Sequence, residues 1–249
     1  MTKKRLVLYL IKFPKVSETF IVSKFLGLLS RGWDVHILCK KCDRKTWTLF
    51  PELDGNPDVK KRVHRSWPIE PRWLLLFLFP ASLIRCFLQA PKKTWNYIKK
   101  GWKRFNRGVF KQLYLDAPLI YLKPDILHFE FGSLAVERTH LKECLKTKLS
   151  VSFRGYDLNF VCLDQPNHYQ ELWQNTNGCH FLSRHLWKCA LKRGCSKDLN
   201  HQIIPPAVDL EKFANQKTIQ PRQLGTRNHP LRILSVGRLE WKKGYEHAL

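Results

Sequence analysis

Leu6-Val-Leu-Tyr-Leu-Ile11 and Trp33-Asp-Val-His-Ile-Leu38, with the residues between them, decide the fold. The first run is apolar throughout, which fits a parallel strand buried on both faces. Phe13-Pro14-Lys15-Val16 reads as the loop that leaves it. Ser17 has the right side chain for a helix N-cap, and Glu18 sits where a first-turn acid favours the helix dipole. Phe20, Ile21, Phe25, Leu28 and Leu29 then recur at helical spacing, and Gly32 closes the helix after Arg31. Trp33 to Leu38 returns as a strand. Strand, helix and strand in so short a span form a βαβ unit.

The same alternation continues along the chain. Strands are predicted at Asp125 to Phe131, Lys148 to Phe153, Gly178 to Ser183 and His201 to Ile204. Helices are predicted at Tyr114 to Leu122, Leu134 to Leu145, Pro166 to Asn175 and Leu186 to Arg193. Asp43 to Ile69 reads as irregular. The pattern implies an α/β fold, a Rossmann-like parallel sheet with helices on both faces. Residues 1–213 form one expected domain. The polar stretch 214–230 reads as a linker, and 231–249 as the start of a second domain.

The chain has 249 residues, a formal net charge of +24 and a pI of about 9.9. Such a charge attracts phosphates, anionic lipid or nucleic acid without choosing among them. No recognised nucleic-acid motif supports the last. The cysteines do not form a small disulfide scaffold, and Cys39-Lys-Lys-Cys42 has no second CxxC to complete a zinc site, so no metal is expected. Met1-Thr-Lys-Lys-Arg5 runs straight into a strand-like segment rather than a signal peptide. This points to a cytoplasmic, reducing setting.

Pro71 to Leu115 contains no Asp or Glu, but ten basic residues. Its first part, Trp73 to Ile84, is apolar, is interrupted by Pro80, and is too short to cross a bilayer. In its second part Trp95, Ile98, Trp102 and Phe105 make a helical stripe, with Lys99, Lys100, Lys103 and Arg104 on the flank and opposite side. Gly101 weakens that helix. The segment reads as a membrane-facing insert, with Trp95, Lys99, Lys100, Trp102, Lys103 and Arg104 meeting an anionic surface at the inner face of the plasma membrane. Packing of the stripe on a core would give the same pattern.

In a parallel sheet, ligands collect at the carboxyl ends of the strands. Three polar clusters fall there: Ser17-Glu18, His128 to Gly132, and Arg154 to Asp157. By alternation, His128 and Glu130 share a face. They can serve chemistry or satisfy each other as a buried pair. Near the end, Ile233 to Val236 reads as a buried strand, followed by Gly237, Arg238, Lys243 and a helix start after Gly244. A glycine, two cations and a helix N-terminus can hold a diphosphate. A solvated basic turn has the same composition.

These segments together resemble the family 4 glycosyltransferases, the retaining GT-B enzymes of exopolysaccharide and colanic-acid type. Gly237-Arg-Leu followed by Lys243-Gly244 resembles their diphosphate grip. Pro14 to Ile21 resembles their first loop and helix, and His128-Phe-Glu-Phe-Gly132 the segment after their middle strand. Phe153-Arg-Gly-Tyr-Asp157 resembles their Phe-His-Gly-Tyr-Asp segment, with Arg154 in place of the histidine. Arg cannot act as a base near neutral pH, but it can hold a phosphate, an acidic acceptor or the charge of a departing diphosphate. Ile203 to Phe213 resembles the stretch before the linker, with Pro206-Ala207 replacing the usual Asn-Gly.

The resemblance implies transfer of a sugar from a nucleotide-diphosphate donor to a glycan or lipid-linked acceptor in cell-surface polysaccharide synthesis, with retention and no cofactor. It implies Arg154, His128 and Glu130 at the catalytic centre. It places Ser17, Glu18, Gly155, Tyr156 and Asp157 on the acceptor side, and Gly237, Arg238 and Lys243 on the donor diphosphate. The family's paired donor-binding glutamates lie beyond Leu249, so this chain by itself is expected to be an inactive, truncated form. A different class stays open: a non-catalytic basic α/β module that binds anionic membrane surfaces.

Overall fold

The computed structural model describes residues 3–207, 210, 227, 230–231, 233–237 and 239–247. The chain divides into two compact units, Met1–Ala207 and Val208–Leu249. Arg238, Asp209, Phe213 and all of the expected linker 214–230 but residues 227 and 230 lie outside the described residues.

The first unit is a seven-stranded parallel sheet. β1 (Arg5–Lys12) leads through a 3-10 turn (Val16–Glu18) into α1 (Thr19–Ser30), and β2 (Asp34–Lys41) follows. Three short helices come next: α2 (Arg44–Trp47), α3 (Pro51–Asp54) and α4 (Pro57–Lys61), then β3 (Val63–Arg65). A helical layer of α5 (Leu75–Gln89), α6 (Pro91–Phe105) and α7 (Val109–Leu122) precedes β4 (Ile126–Phe129). Then come α8 (Gly132–Ala135), α9 (Leu141–Leu145), β5 (Lys148–Phe153), α10 (Gly155–Asn159), α11 (Gln170–Asn175), β6 (Gly178–Phe181), α12 (Arg184–Lys192) and β7 (His201–Ile203). The strand order is β3-β2-β1-β4-β5-β6-β7. The chain winds outward from β1 in one direction, then returns to place β4 on the other side of β1. In open α/β sheets such a reversal marks where ligands bind, here the carboxyl ends of β1 and β4.

Alternation along the central strands divides the core. Val7, Tyr9, Leu127, Phe129, Val151 and Phe153 face the layer that carries α7, α9 and α12. Leu6, Leu8, Leu10, Ile37 and Cys39 face α1 through Ile21, Val22 and Phe25. Helices therefore cover both faces, and the α/β class read from the sequence is the class observed.

Several local expectations are corrected. Ser17 is not an N-cap: it lies inside the 3-10 turn, and α1 begins at Thr19 with no side-chain cap. Asp43 to Ile69 is not irregular. Asp43 and Asn56 cap α2 and α4 through their side chains, and β3 adds an edge strand. The predicted helix from Leu134 to Leu145 is broken into α8, a 3-10 turn and α9. Pro80 does not interrupt α5, which runs through it. Nor does Gly101 simply weaken α6. A Cβ there would meet Val109 Cγ2 at 2.8 Å, so the missing side chain lets α6 and α7 approach closely.

In the second unit, the strand expected at Ile233 to Val236 is absent. Ile233, Leu234 and Val236 are extensively exposed. Strand geometry is stable only with a ladder partner, and no described residue of this unit forms one. The turn that follows does form, as a 3-10 helix from Trp241 to Lys243 that Gly244 closes in the left-handed region at φ 63°. A Cβ on Gly237 would overlap the Tyr245 hydroxyl, so glycine is what admits that ring.

Candidate functional site

The strand ends beside this reversal of strand order carry a connected polar cluster. Glu130 directly follows β4, and its amide donates to Tyr9 O at 3.2 Å, which turns the side chain under the rim. Glu130 is fully buried. Lys24 Nζ, from α1, donates to its Oε1 at 2.7 Å, and Arg154 Nη2, at the end of β5, donates to Oε2 at 3.1 Å. Arg154 Nε also donates to Glu130 O at 3.1 Å. The guanidinium lies over the Phe20 ring at 4.0 Å and over Phe131 at 5.2 Å. Aromatic faces and a bidentate hold thus fix the orientation of Arg154.

Sheet register extends this cluster sideways. His128 is opposite Ser150, and Ser152 is opposite His180. His128 Nδ1 lies 3.0 Å from Ser150 Oγ, and its Nε2 is 3.0 Å from both Ser152 Oγ and Lys24 Nζ. Ser152 Oγ meets His180 Nδ1 at 2.9 Å, and His180 Nε2 meets Ile204 O at 2.9 Å. A continuous hydrogen-bonded chain therefore crosses three strands.

Burial depresses His128 strongly, to about 3, and the Lys24 charge adds to the effect. The imidazole is neutral at neutral pH, and with Lys24 donating to Nε2 it is an acceptor there. Burial alone would push the Glu130 carboxyl up, but the adjacent charges hold it below its ordinary value. An ionised carboxylate clamped between two cations is a poor proton acceptor. Two cations against one anion leave one net positive charge at the rim. The arrangement is suited to attracting an anion, and Arg154 is its most directional donor.

Asp157 ties this rim to its scaffold. Its carboxylate accepts from Ser133 N at 2.9 Å and Arg154 N at 3.0 Å, so one buried group joins the starts of α8 and α10. Tyr169 Oη donates to Asp157 O at 2.9 Å beneath it. Asp157 is thus a positioning residue. Gly132 permits the same junction, because a Cβ there would overlap the Phe153 ring. Gly155 is the first residue of α10, and Tyr156 is exposed and stacked on Phe160. Glu18 pairs with Lys15, while Ser17 is exposed. Neither Ser17 nor Glu18 is hydrogen-bonded to the cluster.

The structure brings His128, Glu130 and Arg154 into contact, as their positions at the strand ends suggested. It also adds Lys24, Phe20, Ser152 and His180, which sequence reading missed. Lys24 had one signal: it lies one turn after Phe20, with Ile21 and Leu28 at three and four positions on the same side of the helix. Among the expected donor residues, Lys243 is exposed in the second unit and Arg238 lies outside the described residues. Among the described residues, no group of three or more His, Cys, Asp or Glu is arranged to hold a metal ion.

Replacing Lys24 with Met should raise the His128 pKa, because a positive neighbour that opposes its protonation is removed. Titration of the imidazole resonances by NMR measures this. An unmoved His128 would show that Lys24 exerts no field on it.

No protein-family model matches the chain. It is similar to proteins named as colanic acid biosynthesis glycosyltransferase WcaL. The Escherichia coli K12 protein is 25% identical over 260 residues, covering 97% of this chain. The Salmonella typhimurium LT2 protein is 25% identical over 250 residues, again across 97% of this chain. The chain spans 58% of the length of each of these relatives. Among solved structures, a sucrose-phosphate synthase chain from Thermosynechococcus elongatus aligns with a TM-score of 0.47 and 15% identity, covering 85% of this chain and 93% of its own.

Proposed function

We propose that the chain is the acceptor-side part of a retaining glycosyltransferase of family 4, with GT-B architecture. In this reading it transfers a sugar from a nucleotide-diphosphate donor to a glycan or lipid-linked acceptor in cell-surface polysaccharide synthesis. The proposed setting is the cytoplasmic side of the membrane, with no metal or other cofactor. The observation that carries the reading is Arg154, an oriented and incompletely paired guanidinium at the carboxyl end of β5, next to the switch-point strand β4. It lies in a chain similar along nearly its whole length to proteins named as glycosyltransferases.

In the proposed mechanism, the residues of this chain supply electrostatics rather than a proton shuttle. Arg154 offers its remaining N–H groups to a phosphate, an acidic acceptor or the charge of the departing diphosphate. Glu130 and Lys24 position it and set the local charge. His128, neutral and hydrogen-bonded on both nitrogens, fixes the serines beside the rim rather than exchanging protons near neutral pH. Gly237, Arg238 and Lys243 are proposed to hold the donor diphosphate. The non-catalytic reading is not favoured, since the relatives carry transferase names.

The test is a transfer assay on a version of the protein that spans the full length of the relatives. It is offered a panel of sugar nucleotides and a polyprenyl-diphosphate-linked acceptor. Nucleoside diphosphate release and the anomeric configuration of the product are followed by NMR. Release with a retained configuration is expected. An inverted product would exclude the retaining mechanism, and absence of release with every donor would exclude transfer.

A further inference from the structure

The helix α5 is apolar around most of its circumference, with Arg85 and Gln89 on one flank, yet only one side is covered. At about 100° per residue, Leu75, Phe79, Ser82 and Cys86 fall on one arc. Ser82 and Cys86 on that arc are fully buried. Leu76, Phe77, Ile84, Phe87 and Leu88 fall on the other, joined by exposed Trp73 from the 3-10 turn just before the helix, with Leu76 and Leu88 exposed to 75% and 78% of their surface. A helix that is hydrophobic nearly all round belongs in a core or in lipid. A contiguous stripe of six large apolar side chains is more than scattered surface exposure explains.

We propose that this outward face of α5 docks the protein on an anionic lipid bilayer, with the helix lying in the interfacial plane. Charge selects that occupant. The surrounding segment, Pro71 to Leu115, holds ten cations and no acid. Exposed Lys92, Lys99, Lys103 and Arg107 can meet lipid phosphates while the apolar stripe enters the acyl boundary. A second copy of the same face would bring two sets of these cations together, which disfavours self-pairing.

The continuous helical stretch Arg72–Gln89 is long and apolar enough to cross a membrane. Its inner face argues for lying flat instead. Cys86 Sγ approaches Ala117 O at 3.8 Å, Thr94 Oγ1 donates to Cys86 O at 2.9 Å, and Arg85 lies over the Tyr121 ring at 4.3 Å. Crossing would strip these contacts from the domain.

This moves the apolar part of the membrane contact from α6 to α5, while α6 supplies cations. In α6, Ile98 and Phe105 pack against the core, and Tyr97 is fully buried with its hydroxyl on Asp116. Arg104 is drawn back to Glu171. The stripe expected on α6 is thus split by packing, and only Trp95 and Trp102 remain outward.

Docking is independent of the transfer reading, and its test uses binding alone. The purified chain is sedimented with vesicles of phosphatidylcholine, with and without phosphatidylglycerol, across a salt series. Binding is expected to need the anionic lipid and to weaken with salt. The variant L76Q/F77Q/L88Q should bind at least about tenfold more weakly, because buried apolar surface drives insertion. These side chains are exposed, so its circular dichroism should match the parent. Should the triple variant misfold, Leu76→Gln and Leu88→Gln taken singly carry the same comparison. Three outcomes would overturn the proposal: equal binding by the variants, equal binding to neutral vesicles, or a parent dimer that the variants dissolve in the absence of lipid binding.

Discussion

Asp116→Ala is expected to destabilise the protein by about 3–5 kcal/mol, the cost of removing one partner from a buried ion pair. Asp116 is fully buried on α7. Its carboxylate accepts from Arg138, from Tyr97 Oη at 2.7 Å and from Gln112 Nε2 at 3.1 Å, and it meets His140 Nε2 at 3.0 Å. These partners come from α6, α7 and the turn before α9, so one group ties the helical layer together. Truncation strands the Arg138 guanidinium, which also lies 4.8 Å over the Tyr9 ring. Burial alone would raise the Asp116 pKa, but Arg138 and the hydrogen bonds carry it below the ordinary value. A depressed folded pKa gives stability that is present above the unfolded value of about 3.9 and is lost as pH falls through the folded one. The parent should therefore lose stability in acid below about pH 4, and the variant should lack that component. Urea unfolding at neutral and acid pH measures both effects. The double variant Asp116→Leu/Arg138→Met should recover much of the loss, since apolar replacement of a buried pair is often neutral. An unchanged midpoint in Asp116→Ala would show that the network contributes nothing.

The second large effect concerns turnover. On the proposed transfer reading, in a version that spans the length of the relatives, Arg154→Ala should lower kcat by about 10²–10³-fold, the usual consequence of losing one oriented donor at a site of developing charge. The partition of kinetic constants identifies what Arg154 touches. A fall in kcat with little change in either KM points to the departing diphosphate. A raised KM for acceptor points to an acidic acceptor. Structural damage is separated by thermal melting, because Lys24 still pairs with Glu130 in the variant. Parent-like kinetics from a folded Arg154→Ala protein would remove this residue from the mechanism.

The sheet was legible because its central strands are runs of apolar residues, and their parallel direction follows from alternation with helices. β3 was not legible: Val63-His64-Arg65 holds one apolar residue beside two basic ones, so neither an apolar run nor an alternation shows. Pro80 misled because proline commonly ends helices, at a cost of about 3 kcal/mol. Here the packed inner face of α5 holds the helix through it. His128, Glu130 and Arg154 stood out because strand ends can be read along one segment. Lys24, Ser152 and His180 join them only through the register of β4, β5 and β6 and the seat of α1. Asp157 was read just after β5, and the structure has it buried in the first turn of α10, but its inward aim depends on two backbone amides that sequence does not announce.

The two outermost strands, β3 and β7, are each three residues long. An exposed sheet edge is a template on which a foreign strand can add, and shortening it is one way proteins discourage this. His201 in β7 is further covered by the Trp187 ring, stacked at 3.8 Å. The sheet thus offers little purchase for fibril-like growth from either side. The adhesive surface of this domain is helical and basic, so its hazard on overexpression is sticking through side chains rather than templated strand addition.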